Sequence, residues 1–132
     1  MKKISVILML VSLAYQGWTQ EIYSHQLSSA PDSARYEIVQ SERGGRYTFK
    51  IDKYAGTVFQ ITETRNQDLA WESIIFLEEL TEVELTPDKV NFQIFLSGLG
   101  ARYIFLLHIH TGKTWQLAED TESGLLFWIT FE

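Results

Sequence analysis

The chain repeats itself, and this internal repeat limits the possible folds more than any other feature of the sequence. Positions 36–61 align without a gap to positions 92–117, and eight of the 26 aligned positions are identical. Unrelated segments of ordinary composition share about one or two identities over such a length. We therefore interpret the chain as two copies of one supersecondary unit, offset by 56 residues. The identical pairs are Ile38/Ile94, Ser41/Ser97, Gly44/Gly100, Arg46/Arg102, Tyr47/Tyr103, Phe49/Phe105, Gly56/Gly112 and Gln60/Gln116.

Both copies have the pattern of short β-strands. In the first copy, positions 36–41 and 47–52 alternate between two residue classes and are separated by Gly44 and Gly45. Alternation with a period of two, interrupted by glycine, is typical of half-buried strands. The sequence therefore predicts an all-β fold. It is a tandem duplication of a roughly four-stranded antiparallel meander, forming a small barrel or a two-sheet sandwich with pseudo-two-fold symmetry.

The connection between the two central strands of each copy sets the predicted register. A three-residue loop places Ile51 opposite Phe59 in the first copy, and it requires a glycine with positive φ at its third position. Gly56 and Gly112 occupy that position. With this register, one set of large residues in each copy forms the predicted core: Tyr36, Ile38, Tyr47, Phe49, Ile51, Phe59 and Ile61, with Phe92, Ile94, Tyr103, Phe105, Leu107, Trp115 and Leu117.

The first residues have the composition of a secretory signal peptide. Lys2 and Lys3 precede an apolar run at positions 4–11, and small residues follow it. This order predicts a signal peptide over 1–19, cleaved between 14 and 20. A membrane anchor is the alternative, but a spanning helix needs about 20 consecutive apolar residues and this run ends much earlier. We therefore expect a periplasmic or extracellular protein with no membrane span after cleavage.

The rest of the chain has the length of one domain. We predict a polar N-terminal segment over 20–34 and a single β domain over 35–132. The β domain consists of repeat 1 (35–77), a linker (78–90) and repeat 2 (91–132). The fourth strand of each copy is predicted over 69–77 and 125–131.

Charge and cysteine content exclude several functions. Without Lys2 and Lys3 the chain carries 9 basic and 17 acidic residues. Nucleic-acid binding requires a basic surface, so we expect no nucleic-acid partner. The chain contains no cysteine. It therefore has no lipid-modified cysteine, no thiol nucleophile and no disulfide, and the exported domain depends on its core for stability.

The glycine hairpins carry a local resemblance to a known motif. Segments 51–59 (IDKYAGTVF) and 107–115 (LHIHTGKTW) resemble the D-x-x-T-G-x-x-W hairpin of quinoprotein-type β-propeller blades and of small uncharacterised bacterial exported β-proteins. Ala55, Phe59 and His108 depart from that motif. A propeller needs about four to eight blades, so the resemblance implies that a ring would require several chains. It implies no ligand, cofactor or activity.

The two copies differ most on their central strands. The polar face of positions 48–52 in the first copy corresponds to Ile104, Leu106 and His108 in the second. An apolar strip that faces water is disfavoured, so a partner, a small apolar ligand or another part of the same chain should cover it. The candidate interaction face, for a protein partner or for a second copy in a homo-oligomer, consists of Ile104, Leu106, His108 and Trp128.

The sequence contains none of the common catalytic or metal-binding motifs. G-x-S-x-G, H-E-x-x-H and phosphate-binding loops are all absent. His108 and His110 have the spacing of zinc ligands on a strand, but His110 falls in the turn. Only His25, Glu119 or Asp120 is available as a third ligand. We therefore predict no metal, no cofactor and no catalytic residue.

These observations predict a non-catalytic exported β-domain of unknown role, with a function in binding or protein interaction in the bacterial envelope, through a protein partner or by self-association. One alternative is a small-ligand or saccharide binder that uses aromatic residues such as Tyr54, Trp71 and Trp128. A hydrolase is a further alternative, although the carboxylates show no symmetric pair for general acid–base chemistry.

Overall fold

The computed structural model describes residues 26–28, 30–41, 47–77, 83–96 and 100–131. The predicted signal peptide and positions 78–82 of the predicted linker lie outside these residues. Within the described part, ten strands form two sheets that are not closed into a barrel. The fold is a two-sheet β-sandwich, which confirms the predicted all-β class. No helix in the described segments is long and apolar enough to cross a membrane.

Sheet A is an antiparallel meander built from the first half of the chain. In spatial order it contains β1 (Gln26–Leu27), β2 (Tyr36–Ser41), β3 (Thr48–Asp52), β4 (Thr57–Glu63) and β5 (Leu69–Ser73). Sheet B has the order β6-β10-β9-β8-β7. Its strands are β6 (Ile75–Phe76), β7 (Phe92–Leu96), β8 (Ile104–His108), β9 (Thr114–Glu119) and β10 (Leu126–Phe131). β6 is parallel to β10, and the other neighbours in sheet B are antiparallel.

The internal repeat has the same strand order in both sheets. β2 and β7 begin at matched positions 36 and 92, and β3 and β8 match residue for residue over 48–52 and 104–108. Each repeat therefore forms one four-stranded meander, and the two meanders pack face to face. The last predicted strand begins at Leu126 instead of 125.

The central hairpins have a register one residue away from the predicted one. Ile51 lies opposite Val58 and Lys50 opposite Phe59, so the loop contains the four residues 53–56. Gly56 stands at its fourth position with φ of +76°, and its N–H donates to the carbonyl of Asp52 at 2.8 Å. The predicted three-residue loop is wrong. A one-residue shift moves every side chain of a strand to the opposite face.

The core shows the effect of that shift. Phe49, Ile51, Phe92, Ile94, Trp115 and Leu117 are buried as predicted. Tyr36 and Ile38 are 55 % and 54 % exposed instead, and Val39 and Val58 are buried in sheet A. The buried apolar residues are Val39, Phe49, Ile51, Val58, Ile74, Phe92, Ile94, Leu96, Ala101, Ile104, Leu106, Trp115, Leu117, Leu126 and Trp128.

One segment passes from sheet A into sheet B. The sequence predicts a single strand over 69–77, but the structure divides it at the buried residue Ile74. The N–H of Ile74 donates to Val58 of β4 at 2.9 Å, whereas Ile75 pairs with Phe127 of β10. Phe76 then stacks on Trp128 with 6.3 Å between ring centroids. Repeat 1 therefore supplies the edge strand of the sheet that repeat 2 forms.

Asn91 holds the start of repeat 2 against the β3–β4 turn. Its side chain is 1 % exposed, and its Nδ2 donates to the carbonyls of Tyr54, Thr86 and Lys89 at 3.0 to 3.1 Å. Its Oδ1 accepts from the N–H of Thr86 at 2.9 Å. A buried amide with every polar atom bonded fixes the positions of the groups around it.

Candidate functional site

The predicted interaction face lies inside the sandwich. Ile104, Leu106 and His108 on β8 and Trp128 on β10 are each at most 1 % exposed. The prediction that they form an outward strip is wrong, because sheet B packs against sheet A through this side. The alternative that other parts of the same chain cover them is confirmed.

The opposite side of sheet B is mostly apolar, and Gln93, Phe95 and Phe131 are exposed there while its other residues are half-buried. Residues that alternate with the buried ones along β7–β10 face outward. Ten residues occupy these positions and none is charged. We call this surface outer face B. It consists of Gln93, Phe95, Phe105, Leu107, Thr114, Gln116, Ala118, Phe127, Ile129 and Phe131.

Phenylalanines of outer face B lie on β7, β8 and β10, on both sides of the middle strand β9. Phe95 lies directly opposite Phe105 in the β7–β8 ladder. The rings of Phe105 and Phe131 meet edge to face with 5.3 Å between centroids. Phe95 is 58 % exposed and Phe131 is 51 % exposed. Large contiguous apolar patches are uncommon on soluble monomers, so outer face B is a candidate binding surface.

The outer side of sheet A is also rich in aromatic residues. We call this surface outer face A and define it by Tyr36, Ile38, Lys50, Phe59, Ile61 and Trp71. The ammonium of Lys50 lies 4.6 Å from the centroid of Phe59 and 5.2 Å from that of Trp71. These distances are within the range of cation–π attraction. Asp52, opposite Tyr36, and Glu63, opposite Leu69, lie on the same side of the sheet, so outer face A carries charged groups that outer face B lacks.

Asp52 and His108 occupy matched positions and stabilise the two central turns. Oδ1 of Asp52 accepts from the N–H groups of Tyr54 and Ala55 at 3.0 and 3.4 Å. Nδ1 of His108 accepts from the N–H of Thr111 at 3.2 Å. Two chemically different side chains therefore cap equivalent turns, so the departure from the motif at His108 preserves the local structure.

Their surroundings shift the pKa of each side chain. Burial lowers the pKa of His108, and His110 lowers it further, against an opposing contribution from the backbone of Glu84. Burial raises the pKa of Asp52. The ion pair with Arg35 and the two turn N–H groups outweigh that effect, so the net pKa of Asp52 is lowered. Arg35 Nη2 lies 2.8 Å from Oδ2 of Asp52.

The two histidines of repeat 2 do not assemble a metal site. Their rings meet edge to face at 5.6 Å, with His108 inside the core and His110 exposed. Nε2 of His110 lies 3.2 Å from the carbonyl of Val90. Among the described residues, no group of three His, Asp or Glu side chains is placed to hold a metal ion.

A cavity of about 610 Å³ opens beside the segment that joins the two sheets. One wall is polar, with Gln60, Thr62 and Glu72 of sheet A, and the other includes Leu126 and Phe127 of sheet B. The volume is in the range of small-molecule sites. At its rim, the carboxylate of Asp120 accepts the N–H and hydroxyl of Ser123, both at 2.7 Å, and so serves the β9–β10 turn.

No protein-family model, curated protein or solved structure matches the chain. Phe105 and Leu107, which the sequence predicted to be core residues, lie on outer face B instead. The signal that could have identified them is the uninterrupted apolar run at 104–107, because such a run predicts a strand with apolar contacts on both sides.

Proposed function

We propose that the chain is an exported, non-catalytic interaction domain of the bacterial envelope. In this proposal, outer face B binds the apolar face of a β-sheet in another protein molecule. The observation that carries it is the composition of outer face B, where ten outward positions hold no charge and two phenylalanines are more than half exposed. Burying such a surface against a complementary one releases about 25 cal/mol per Å² of apolar area.

The other side of the same sheet supports the choice of a sheet as the partner. Sheet B already packs on a sheet, because its inner face covers sheet A inside the domain. Phe95 and Phe105 lie opposite each other on neighbouring strands. Large side chains on such cross-strand positions can interdigitate with those of a second sheet. A small-molecule site would need several polar groups that point to one place. Outer face B has no charged group to serve in such a site.

The sequence supports export and a role without catalysis. The order of charged, apolar and small residues over 1–19 is that of a signal peptide. The acidic composition of the rest favours solubility and disfavours nucleic acid. Outer face B offers hydrocarbon, aromatic, amide and hydroxyl groups, which suit binding better than proton transfer.

The test is the solution mass and dye binding of the mature domain with outer face B altered. Phe95→Glu places a carboxylate at the most exposed ring of the face. The matched control is Leu85→Glu, which makes the same charge change at an exposed leucine outside both sheets. We expect the wild-type chain and the control to associate at tens of micromolar and to bind an apolar dye, whereas Phe95→Glu remains monomeric and loses dye fluorescence. Equal mass and equal dye binding in all three proteins would overturn the proposal.

The cavity favours a second candidate function, the binding of a small polar ligand such as an envelope saccharide. A polar wall that faces an apolar wall suits a sugar, which has hydroxyl edges and apolar faces. Trp128, predicted from the sequence to contact a saccharide, is buried in the core and does not line the cavity. Glu72 does line the cavity. We expect a saccharide ligand to raise the melting temperature of the wild-type domain and not that of Glu72→Gln. A panel of envelope sugars that shifts neither protein contradicts this candidate.

A further inference from the structure

Corresponding strands of the two repeats turn opposite sides toward the core. Ile38 on β2 is 54 % exposed, whereas its identical counterpart Ile94 on β7 is 3 % exposed. Conversely, Phe49 on β3 is fully buried, whereas its identical counterpart Phe105 on β8 lies on outer face B. The two copies share sequence and strand order but present different sides to each other.

This geometry is a stack and not a two-fold pair. A two-fold axis would bring corresponding residues of both copies to one interface. Here the inner face of sheet A corresponds in the repeat to outer face B, and outer face A corresponds to the inner face of sheet B. The predicted pseudo-two-fold symmetry is therefore wrong. The sheets follow one another head to tail, as successive units of a repeat protein do.

Both outer faces keep the residue types that pack in the interior at the matched positions. Trp71 lies opposite Ile61, as Trp128 lies opposite Leu117, so these two tryptophans are structural counterparts. The outer face A residues and their buried counterparts are Tyr36/Phe92, Ile38/Ile94, Phe59/Trp115, Ile61/Leu117 and Trp71/Trp128. The outer face B residues and their counterparts in sheet A are Phe95/Val39, Phe105/Phe49, Leu107/Ile51 and Gln116/Gln60.

A stack that ended with this domain would be expected to carry polar residues on its outermost faces. Terminal units of repeat proteins normally have a polar outer side that keeps them soluble. Outer face A differs from the matched interior face at two charged residues, because Lys50 stands in place of Leu106 and Asp52 in place of His108 of repeat 2. Because its ammonium lies over two aromatic rings, Lys50 covers part of that face with its own carbon chain. Outer face B, which has no charged residue, therefore resembles an interior face of a longer stack, and outer face A does so at its apolar positions.

We infer that outer face B binds outer face A of a second copy of this chain. The inference rests on the proposed function and names the partner. The contact between chains repeats the contact between sheets A and B within one chain, because each surface has the apolar pattern of its internal counterpart. A head-to-tail contact of this kind closes into a ring or continues as a fibre. With two sheets per chain and about four to eight sheets in known rings of stacked sheets, a closed ring holds about two to four chains.

The experiment is a complementation test between two variants of the mature domain. Ile38→Glu alters outer face A and leaves outer face B intact, and the new carboxylate lies opposite Lys50 in the β2–β3 ladder. Phe95→Glu alters outer face B and leaves outer face A intact. Leu85→Glu is the control for added charge, and Trp71→Gln is a second variant of outer face A. Melting temperatures establish that each variant is folded, and light scattering with a concentration series gives the mass.

We expect the wild type and the control to form an assembly of two to four chains, and each face variant alone to be a monomer. An equimolar mixture of Ile38→Glu and Phe95→Glu should form a dimer of one chain each and nothing larger, because one intact pair of faces remains. If both variants of outer face A assemble like the wild type while Phe95→Glu does not, outer face B pairs with itself and the head-to-tail inference is overturned. If Phe95→Glu assembles like the wild type, the proposed function fails as well. A wild-type chain that stays monomeric at the highest concentration overturns both.

Discussion

Gly56 and Gly112 form a matched pair in which one physical difference can be measured alone. Both end a four-residue turn with φ of +76°, so replacing either by alanine imposes the same left-handed strain. They differ in what an added Cβ would touch. At Gly56 it would lie 2.8 Å from the ring of Phe92, whereas at Gly112 it would meet nothing within 4 Å.

The ring of Phe92 has little freedom to move away from a new methyl group. Phe92 is fully buried, and its centroid lies 5.0 Å from that of His108 and 6.1 Å from that of Trp115. The shared backbone strain costs about 1–2 kcal/mol. Overpacking in a rigid core costs about a further 1–3 kcal/mol. We therefore expect Gly112→Ala to destabilise by about 1–2 kcal/mol and Gly56→Ala by about 2–5 kcal/mol.

Urea unfolding followed by tryptophan fluorescence measures both free energies of unfolding, because Trp115 and Trp128 are buried in the folded domain. In a separate thermal unfolding experiment, the melting temperature of Gly56→Ala should lie below that of Gly112→Ala, by about 4 °C for each kcal/mol of difference in stability. The change in unfolded-chain entropy is the same for both substitutions and cancels in the comparison. Equal destabilisation by the two variants would refute the assigned contact between the β3–β4 turn and Phe92.

Three further predictions follow from burial. Because the folded-state pKa of His108 is lowered, the domain should lose stability as pH falls below about 6.5, by up to about 1.4 kcal/mol per pH unit. In His108→Asn the free energy of unfolding should depend less on pH. The same pH dependence in His108→Asn and the wild type would contradict the role given to His108. Leu106→Lys should abolish cooperative unfolding because it buries an ammonium. Phe95→Lys, measured in urea by circular dichroism at a concentration where the wild type is monomeric, should change stability by less than about 1 kcal/mol. A native-like Leu106→Lys domain would contradict the orientation of β8. Asn91→Ala should cost about 3 kcal/mol by chemical unfolding, because buried carbonyls lose their donors; a loss near zero would mean that water replaces the amide.

The architecture was predictable because it depends on features that survive small errors in register. The repeat at 56 residues, the period-two segments and the paired glycines gave the two four-stranded meanders, and the structure has them. The crossing at Ile74 was not predictable. Ile74 begins a short apolar run, 74–77, directly after Glu72 and Ser73, and a strand that changes sheets has the same sequence pattern as one that does not.

The candidate site was predicted on the wrong side of sheet B for a reason that concerns one residue. Loops of three and of four residues both place Gly56 at a left-handed position, so the glycine does not distinguish them. The choice between them changes which sides of two paired strands face the same way, so β4 in repeat 1 and β8 in repeat 2 bury the side opposite to the predicted one. In repeat 2 the periodicity offers no correction, because Leu106 and Leu107 are equally apolar although one is buried and the other faces outward. Only the packing of the copies identifies the free side.

The passage of the chain from sheet A to sheet B at Ile74 places the end of the first copy in the second sheet. The ancestral boundary between the copies does not coincide with the boundary between the sheets, because the end of the first copy pairs with the last strand of the second. A cut after Phe76 would leave β6 on the first fragment and remove the edge strand of sheet B, whereas a cut between Ile74 and Ile75 would keep β6 with its partner β10. Sheet B therefore depends on two residues of the first copy for its edge strand.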